Sequence, residues 1–113
     1  MDFKFANYGQ TRDVDCTDQE QEIFDTIRSL LDDYNLDSEV LRLVRKSDSY
    51  VSACMESSGD YGLMDLARIK YTSRAKWIKI CPKFEKIELH DPEDVTQYID
   101  ELCAAYRFNE PYL

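Results

Sequence analysis

The sequence predicts an α+β fold: an antiparallel meander of four to five strands, with an N-terminal and a C-terminal helix packed on one sheet face. Three observations carry this expectation. Helix-start signals stand at Thr17 and Asp91, each followed by apolar residues at steps of three and four. Between them, β-rich runs are joined by links too short for the crossovers that parallel strands require. The chain has 113 residues, of which 43% are hydrophobic and 12% aromatic. That suits one domain around one core and excludes wholesale disorder.

The domain is expected to span 1–113, with 1–16 as an arm and 108–113 as a tail. The arm carries Phe3, Phe5 and Tyr8 ahead of Gly9 and suits a short edge strand or an aromatic packing segment. Thr17-Asp18-Gln19-Glu20 reads as a capping box, in which a hydroxyl at N-cap and a carboxylate three residues on each accept from an orphan backbone N–H. Ile23, Ile27, Leu30, Leu31 and Tyr34 then predict a helix of about four turns stopping near Asn35.

Residues 40–45, 50–55, 63–71, 76–81 and 84–89 are rich in β-branched, aromatic or alternating residues, and 46–49, 56–62 and 72–74 are turn-like. Pro82 should end or bend the fourth strand. Asp91-Pro92-Glu93-Asp94 supplies an N-cap, a proline at the first helical position and two carboxylates in the positive first turn. Val95, Tyr98, Ile99, Leu102, Cys103 and Tyr106 carry that helix to about Arg107. The apolar tail beyond it finds an outlet either in a dimer contact or by folding back on the sheet.

Most enzyme signatures fail on residue supply. His90 is the sole histidine, which excludes H-E-x-x-H and multi-histidine metal sites. The three glycines, Gly9, Gly59 and Gly62, build neither a phosphate-cradling loop nor a dinucleotide turn, and no G-x-S-x-G elbow occurs. Glu56, Asp60 and Asp65 lack the ordered series of a calcium loop. Cys16, Cys54, Cys81 and Cys103 form no C-x-x-C pair, so no zinc knuckle or redox dithiol can be written. The expectation is a non-enzyme without cofactor or metal. No secretory signal is legible and no apolar run nears the roughly 18 residues that cross a bilayer. A reduced, cytoplasmic protein with small buried thiols and no membrane partner follows.

The formal charge of −9 is unevenly distributed. Residues 1–39 hold 11 acids and 3 bases, a net of −8; residues 40–67 hold 4 acids and 3 bases, a net of −1. Residues 68–86 hold seven bases and one acid, a net of +6, and residues 87–113 return to −6 with 7 acids and 1 base. Strand alternation turns Ala67, Ile69, Tyr71, Ile78 and Ile80 inward, placing Arg68, Lys70, Trp77 and Lys79 on the other face. There Trp77, with Lys76 nearby, is expected to stand exposed among cations, as a stacking platform over a phosphate track or an anchor for an acidic partner. The alternative is that the cations pair with the protein's own acidic helices while Trp77 packs under an aromatic of the arm or tail.

The run Arg68-Ile69-Lys70-Tyr71-Thr72-Ser73-Arg74-Ala75-Lys76-Trp77-Ile78-Lys79-Ile80, followed by an acidic turn and a tyrosine-bearing helix, resembles small uncharacterised α+β domains of Gram-positive bacteria and their phages. Some of these are attached to restriction-type or predicted transport proteins. The resemblance covers roughly residues 40–107 and excludes the acidic first helix. It implies a setting of mobile elements and host–phage conflict, in which small acidic proteins act as inhibitors by binding.

The leading functional expectation is a non-enzymatic acidic interaction module, an inhibitor of the nucleic-acid-mimic, anti-CRISPR or anti-restriction type. It would meet a basic nucleic-acid-handling protein through Asp18, Glu22, Asp25, Asp32, Asp33, Glu93 and Asp94. The alternative is single-stranded DNA or RNA binding through the basic-aromatic hairpin 68–86, using Arg68, Lys70, Lys76, Trp77 and Lys79. A small-molecule pocket between helices and sheet is a third reading. The protein is expected as a monomer or a homodimer.

Overall fold

A computed structural model of the chain describes residues 15–45 and 47–113; the aromatic arm of residues 1–14 lies outside the described residues. Helix α1 (Asp18–Asp33) opens on the expected capping box. The Glu20 backbone N–H donates to Thr17 Oγ1 at 3.1 Å, and the Thr17 N–H donates to Glu20 Oε1 at 2.9 Å. The helix stops at Asn35, whose φ of 61° is a left-handed conformation that asparagine tolerates. Ile23, Phe24, Ile27 and Leu31 are fully buried. Tyr34, expected on that stripe, is instead 54% exposed, because it is the cap residue beyond the last helical turn.

The five strands β1 (Leu41–Arg45), β2 (Val51–Glu56), β3 (Leu63–Tyr71), β4 (Lys76–Ile80) and β5 (Lys86–Glu88) pair antiparallel in sequence order. The meander is therefore as the short links demand. Two strands are shorter than their composition suggests. The Cys81 N–H donates to Leu66 O and the Phe84 N–H to Ile80 O, so the chain turns tightly at 81–84 and β5 is left with three residues.

Beyond the sheet, a 3-10 segment (Pro92–Tyr98) precedes α2 (Ile99–Asn109). A single α-helix was expected from Asp91 to about Arg107. Instead the first turns wind tighter, beginning with an i→i+3 bond from the Asp94 N–H to Asp91 O. Both helices pack on one face of the sheet, where Leu41, Leu43, Val51, Ala53, Met55, Ile69 and Ile78 meet Ile27, Leu31, Leu102 and Tyr106. Tyr106 is the largest fully buried side chain, and its hydroxyl donates to Asp37 O at 2.9 Å. Cys54 and Cys81 are buried, Cys16 and Cys103 half-buried, and none of the four is in a disulfide.

A bulge shapes the centre of the sheet. Ala53 opposes Ala67 but Cys54 opposes Asp65, so Leu66 is an extra residue in β3, buried beside Ala67. The two carbonyls displaced there find partners outside the ladder: Leu66 O accepts from the Cys81 N–H at 2.9 Å, and Asp65 O from Asn109 Nδ2 at 3.1 Å. Asn109, the last residue of α2, is only 6% exposed and also receives the Cys81 thiol. Asn109→Leu keeps the branching and heavy-atom count but removes the donor to a part-buried bulge carbonyl, so it is expected to cost about 2 kcal/mol. A lower urea midpoint at unchanged m value is the expected observation; an unchanged midpoint contradicts it.

The tail folds back. Ser57 Oγ donates to Tyr112 O at 2.6 Å and Ser58 Oγ to Leu113 O at 3.1 Å, while the Tyr61 and Tyr112 rings meet edge-on at 4.9 Å. The tail thus docks on the β2–β3 loop at one end of the sheet.

Candidate functional site

The amphipathic pattern of α1 turns its carboxylates outward. Asp18, Glu22 and Asp25, spaced i, i+4 and i+7, line one side of a shallow depression of about 390 Å³ that also includes Leu30. The 3-10 segment packs along α1 and brings the acidic start of the last helical region beside it. Tyr71 lies between the two and its hydroxyl donates to His90 O at 2.7 Å. Burial, and then the nearby carboxylates of Asp91, Asp94, Glu93 and Glu22, raise the Tyr71 phenol above its ordinary pKa. These four acids from two separate elements therefore share one neighbourhood.

The seven acidic candidates do not form a single cluster. Glu22, Glu93 and Asp94 are brought together, joined by Asp91, which sequence reading had assigned only to helix capping. Asp32 and Asp33 lie about 15 Å further along α1 at 1.5 Å per residue. Asp32 accepts from Ser38 Oγ at 2.7 Å, a local contact that ties the helix end to the following turn. Asp25 accepts from Gln21 Nε2 at 3.1 Å. Among the described residues, the side chains of Asp18, Glu22, Asp33 and Glu93 have no hydrogen-bond or ion-pair partner. Ion pairs among the described residues join Arg42 to Glu56, Arg45 to Glu20, Arg68 to Asp65 and Arg107 to Glu110.

Asp94 has a structural task as well. Its Oδ2 accepts from the backbone N–H groups of Asp91 and His90, both at 3.0 Å, and these bonds hold its carboxyl below the usual pKa. A carboxyl depressed in the folded state stabilises above its unfolded pKa and ceases to do so as pH falls through the folded value. Asp94→Asn is therefore expected to lower the melting temperature at neutral pH, and the gap from the natural protein should close below the ordinary carboxylate range. A gap independent of pH contradicts this role.

The opposite face of the sheet carries the cations. Across the ladder Ser52, Arg68, Lys79 and Lys86 stand in one row, and Lys70, Trp77 and Glu88 in the next. Alternation thus placed Arg68, Lys70, Trp77 and Lys79 together as expected. Lys76 departs from them: it opposes Tyr71, a core residue, so it lies on the helix side of the sheet, its ammonium 5.2 Å from the Tyr71 ring centroid. Trp77 is the larger correction, being 8% exposed rather than an open platform. Tyr50 lies 6.3 Å away at a tilt of 53°, and the Lys79 ammonium sits 4.8 Å from the Trp77 centroid.

Arg68 is likewise engaged. Its Nε donates to Asp65 Oδ2 at 3.0 Å, and its guanidinium lies 4.2 Å from the Phe84 centroid and 5.5 Å from that of Tyr50. Lys70 Nζ donates to Ser49 O at 2.7 Å. These cations are held by rings, an acid of the same strand and a loop carbonyl, not by the acidic helices. Packing of Trp77 under the arm lies outside the described residues. Val44 on β1 and Ser52 on β2, also on this face, are fully buried, so the β1–β2 side of the face is closed to solvent, while Lys79 is half-buried and Lys86 on β5 is exposed. Lys86 was missed by sequence reading, although hairpin register counted from the 81–84 turn points to it.

Among the described residues no group of three or more His, Cys, Asp or Glu is placed to hold a metal ion, and no helix is long and apolar enough to cross a membrane. Where β4 and β5 meet α2, an open groove of about 320 Å³ lined by Ile80, Cys81, Ile87, Glu101 and Ala104 is the nearest feature to a pocket between helices and sheet. The chain matches no protein-family model, no curated protein and no solved structure.

Proposed function

We propose that this protein is a non-catalytic interaction module that docks through its acidic face on a basic surface of a nucleic-acid-handling protein. One observation carries the reading: the 3-10 segment packs on α1 and sets the exposed carboxylates of Glu22 and Glu93, neither with an internal partner among the described residues, about Tyr71, while the cations are largely engaged within their own face. Unneutralised charge of one sign on a rigid helix layer raises the encounter rate with an oppositely charged partner and sets its register. Carboxylates in that array stand in for phosphates, which makes the partner's nucleic-acid site the target. An inhibitor of the anti-CRISPR or anti-restriction type accords with the resemblance to phage-associated α+β domains, and a reducing cytoplasm accords with the absence of disulfides.

The test is a titration with a Lys/Arg-rich nucleic-acid-binding domain as probe, with a duplex oligonucleotide as competitor. The mimic reading expects binding that the oligonucleotide displaces. Direct binding of the oligonucleotide to this protein, weakening steeply with salt and lost in Lys79→Glu/Lys86→Glu, overturns it in favour of the cationic face.

A further inference from the structure

The ladder register sets like charges side by side. Lys79 lies directly opposite Lys86 on β5 and directly opposite Arg68 on β3, giving three cations abreast on one face. Such cross-strand pairs are unfavourable unless a counter-charge meets them. Arg68 has Asp65. Lys79 and Lys86 have no carboxylate within ion-pair distance among the described residues, and Lys83 in the adjoining turn is exposed. The carboxylate nearest in the ladder, Glu88, stands in the next row opposite Trp77 and makes no ion pair with them, and the unpartnered pair Glu22 and Glu93 lies on the far side of the sheet, in the helix layer. One copy cannot bring the two faces together. Two copies can.

We propose that copies of this chain dock head to tail, the Lys79–Lys86 end of the sheet's outer face on one copy receiving the acidic face of Glu22 and Glu93 on the next. The inference rests on the acidic face being a docking surface, as in the function proposed above. Charge complementarity chooses the occupant: the hairpin of +6 and the flanking segments of −8 and −6 belong to one sequence. Because the two contacting surfaces differ, the interface is heterologous and leaves a free half at each end of a dimer. The net charge of −9 opposes the approach at long range, so the contact is a short-range one that salt dissolves.

Sedimentation velocity on the full chain tests this with Lys79→Glu/Lys86→Glu, Glu22→Lys/Glu93→Lys and their equimolar mixture, each checked for folding by circular dichroism. At 0.1 M salt the natural protein is expected to associate with concentration, and each double variant to self-associate about tenfold or more weakly. The mixture is expected to recover a dimer, since each variant keeps the half that the other lost; salt near 1 M should abolish it. A natural protein that stays monomeric, a mixture that fails to recover, or association that survives either double variant overturns the proposal. So does a monomer whose Lys79–Lys86 strip binds a single-stranded oligonucleotide instead. Displaceable binding of the basic probe without self-association leaves the proposed function standing and removes this inference alone. Lys79→Gln/Lys86→Gln, which removes charge without reversing it, is expected to weaken self-association in the same direction.

Discussion

Glu20→Ala is expected to cost about 3 kcal/mol, well above the ~1 kcal/mol that loss of a helix cap ordinarily costs. The excess has a structural source. Glu20 is 2% exposed, and its two oxygens serve different elements. Oε1 accepts from the Thr17 N–H within the capping box, while Oε2 accepts from the Tyr71 N–H at 2.8 Å. Thr17 Oγ1 completes the contact by donating to Tyr71 O at 2.8 Å. The start of α1 thus occupies the ladder position beside the end of β3 that no strand fills, and Arg45 lies 3.9 Å from the same carboxylate. Alanine strands a buried N–H of β3 and removes the negative partner of a half-buried arginine together. Glu20→Gln retains an oxygen acceptor and should lose roughly half as much. Urea unfolding at constant m value measures both, and a loss for Glu20→Ala no greater than that of a simple cap would remove the docking role.

The second large effect concerns binding. Reversing Glu22 and Glu93 together is expected to weaken binding of a basic nucleic-acid-binding probe by about 100-fold, while Asp32→Lys/Asp33→Lys changes it by less than about fivefold. The contrast follows from position: Glu22 and Glu93 flank Tyr71 within one acidic neighbourhood, whereas Asp32 and Asp33 stand at the far end of α1, with Asp32 held by Ser38. Titration calorimetry at fixed salt reads the two affinities. Equal losses for the two pairs would mean that net charge alone, without a defined face, governs binding.

The elements of the fold were legible because their signals are local. A hydroxyl and a carboxylate three residues apart cap a helix wherever they stand, and Thr17 and Glu20 do so here. Short links permit only antiparallel neighbours, and alternation assigns faces, which put Arg68, Lys70, Trp77 and Lys79 on one side. The same alternation, carried one step further, places Lys76 on the other side, beside Tyr71.

What alternation does not reveal is what covers a face. Trp77 stands on the side of the sheet that alternation assigns and yet is buried, with Tyr50, just before β2, 6.3 Å from its ring and the Lys79 ammonium over it among the described residues. The convergence of Glu22 with Asp91, Glu93 and Asp94 was equally out of reach, since it joins residues some seventy positions apart through the packing of a 3-10 segment on α1. Nor does composition disclose the second task of Glu20: the capping box is local, whereas its bond to Tyr71 spans 51 residues. The first helix and its cap, the meander, the two faces of the sheet and the division of charge into −8, −1, +6 and −6 are legible along the chain, because each depends on neighbours in sequence, whereas the 3-10 winding of residues 92–98 is not. Which charges remain unpartnered and which aromatics are covered depends on neighbours across space, and so emerges only once the chain is folded.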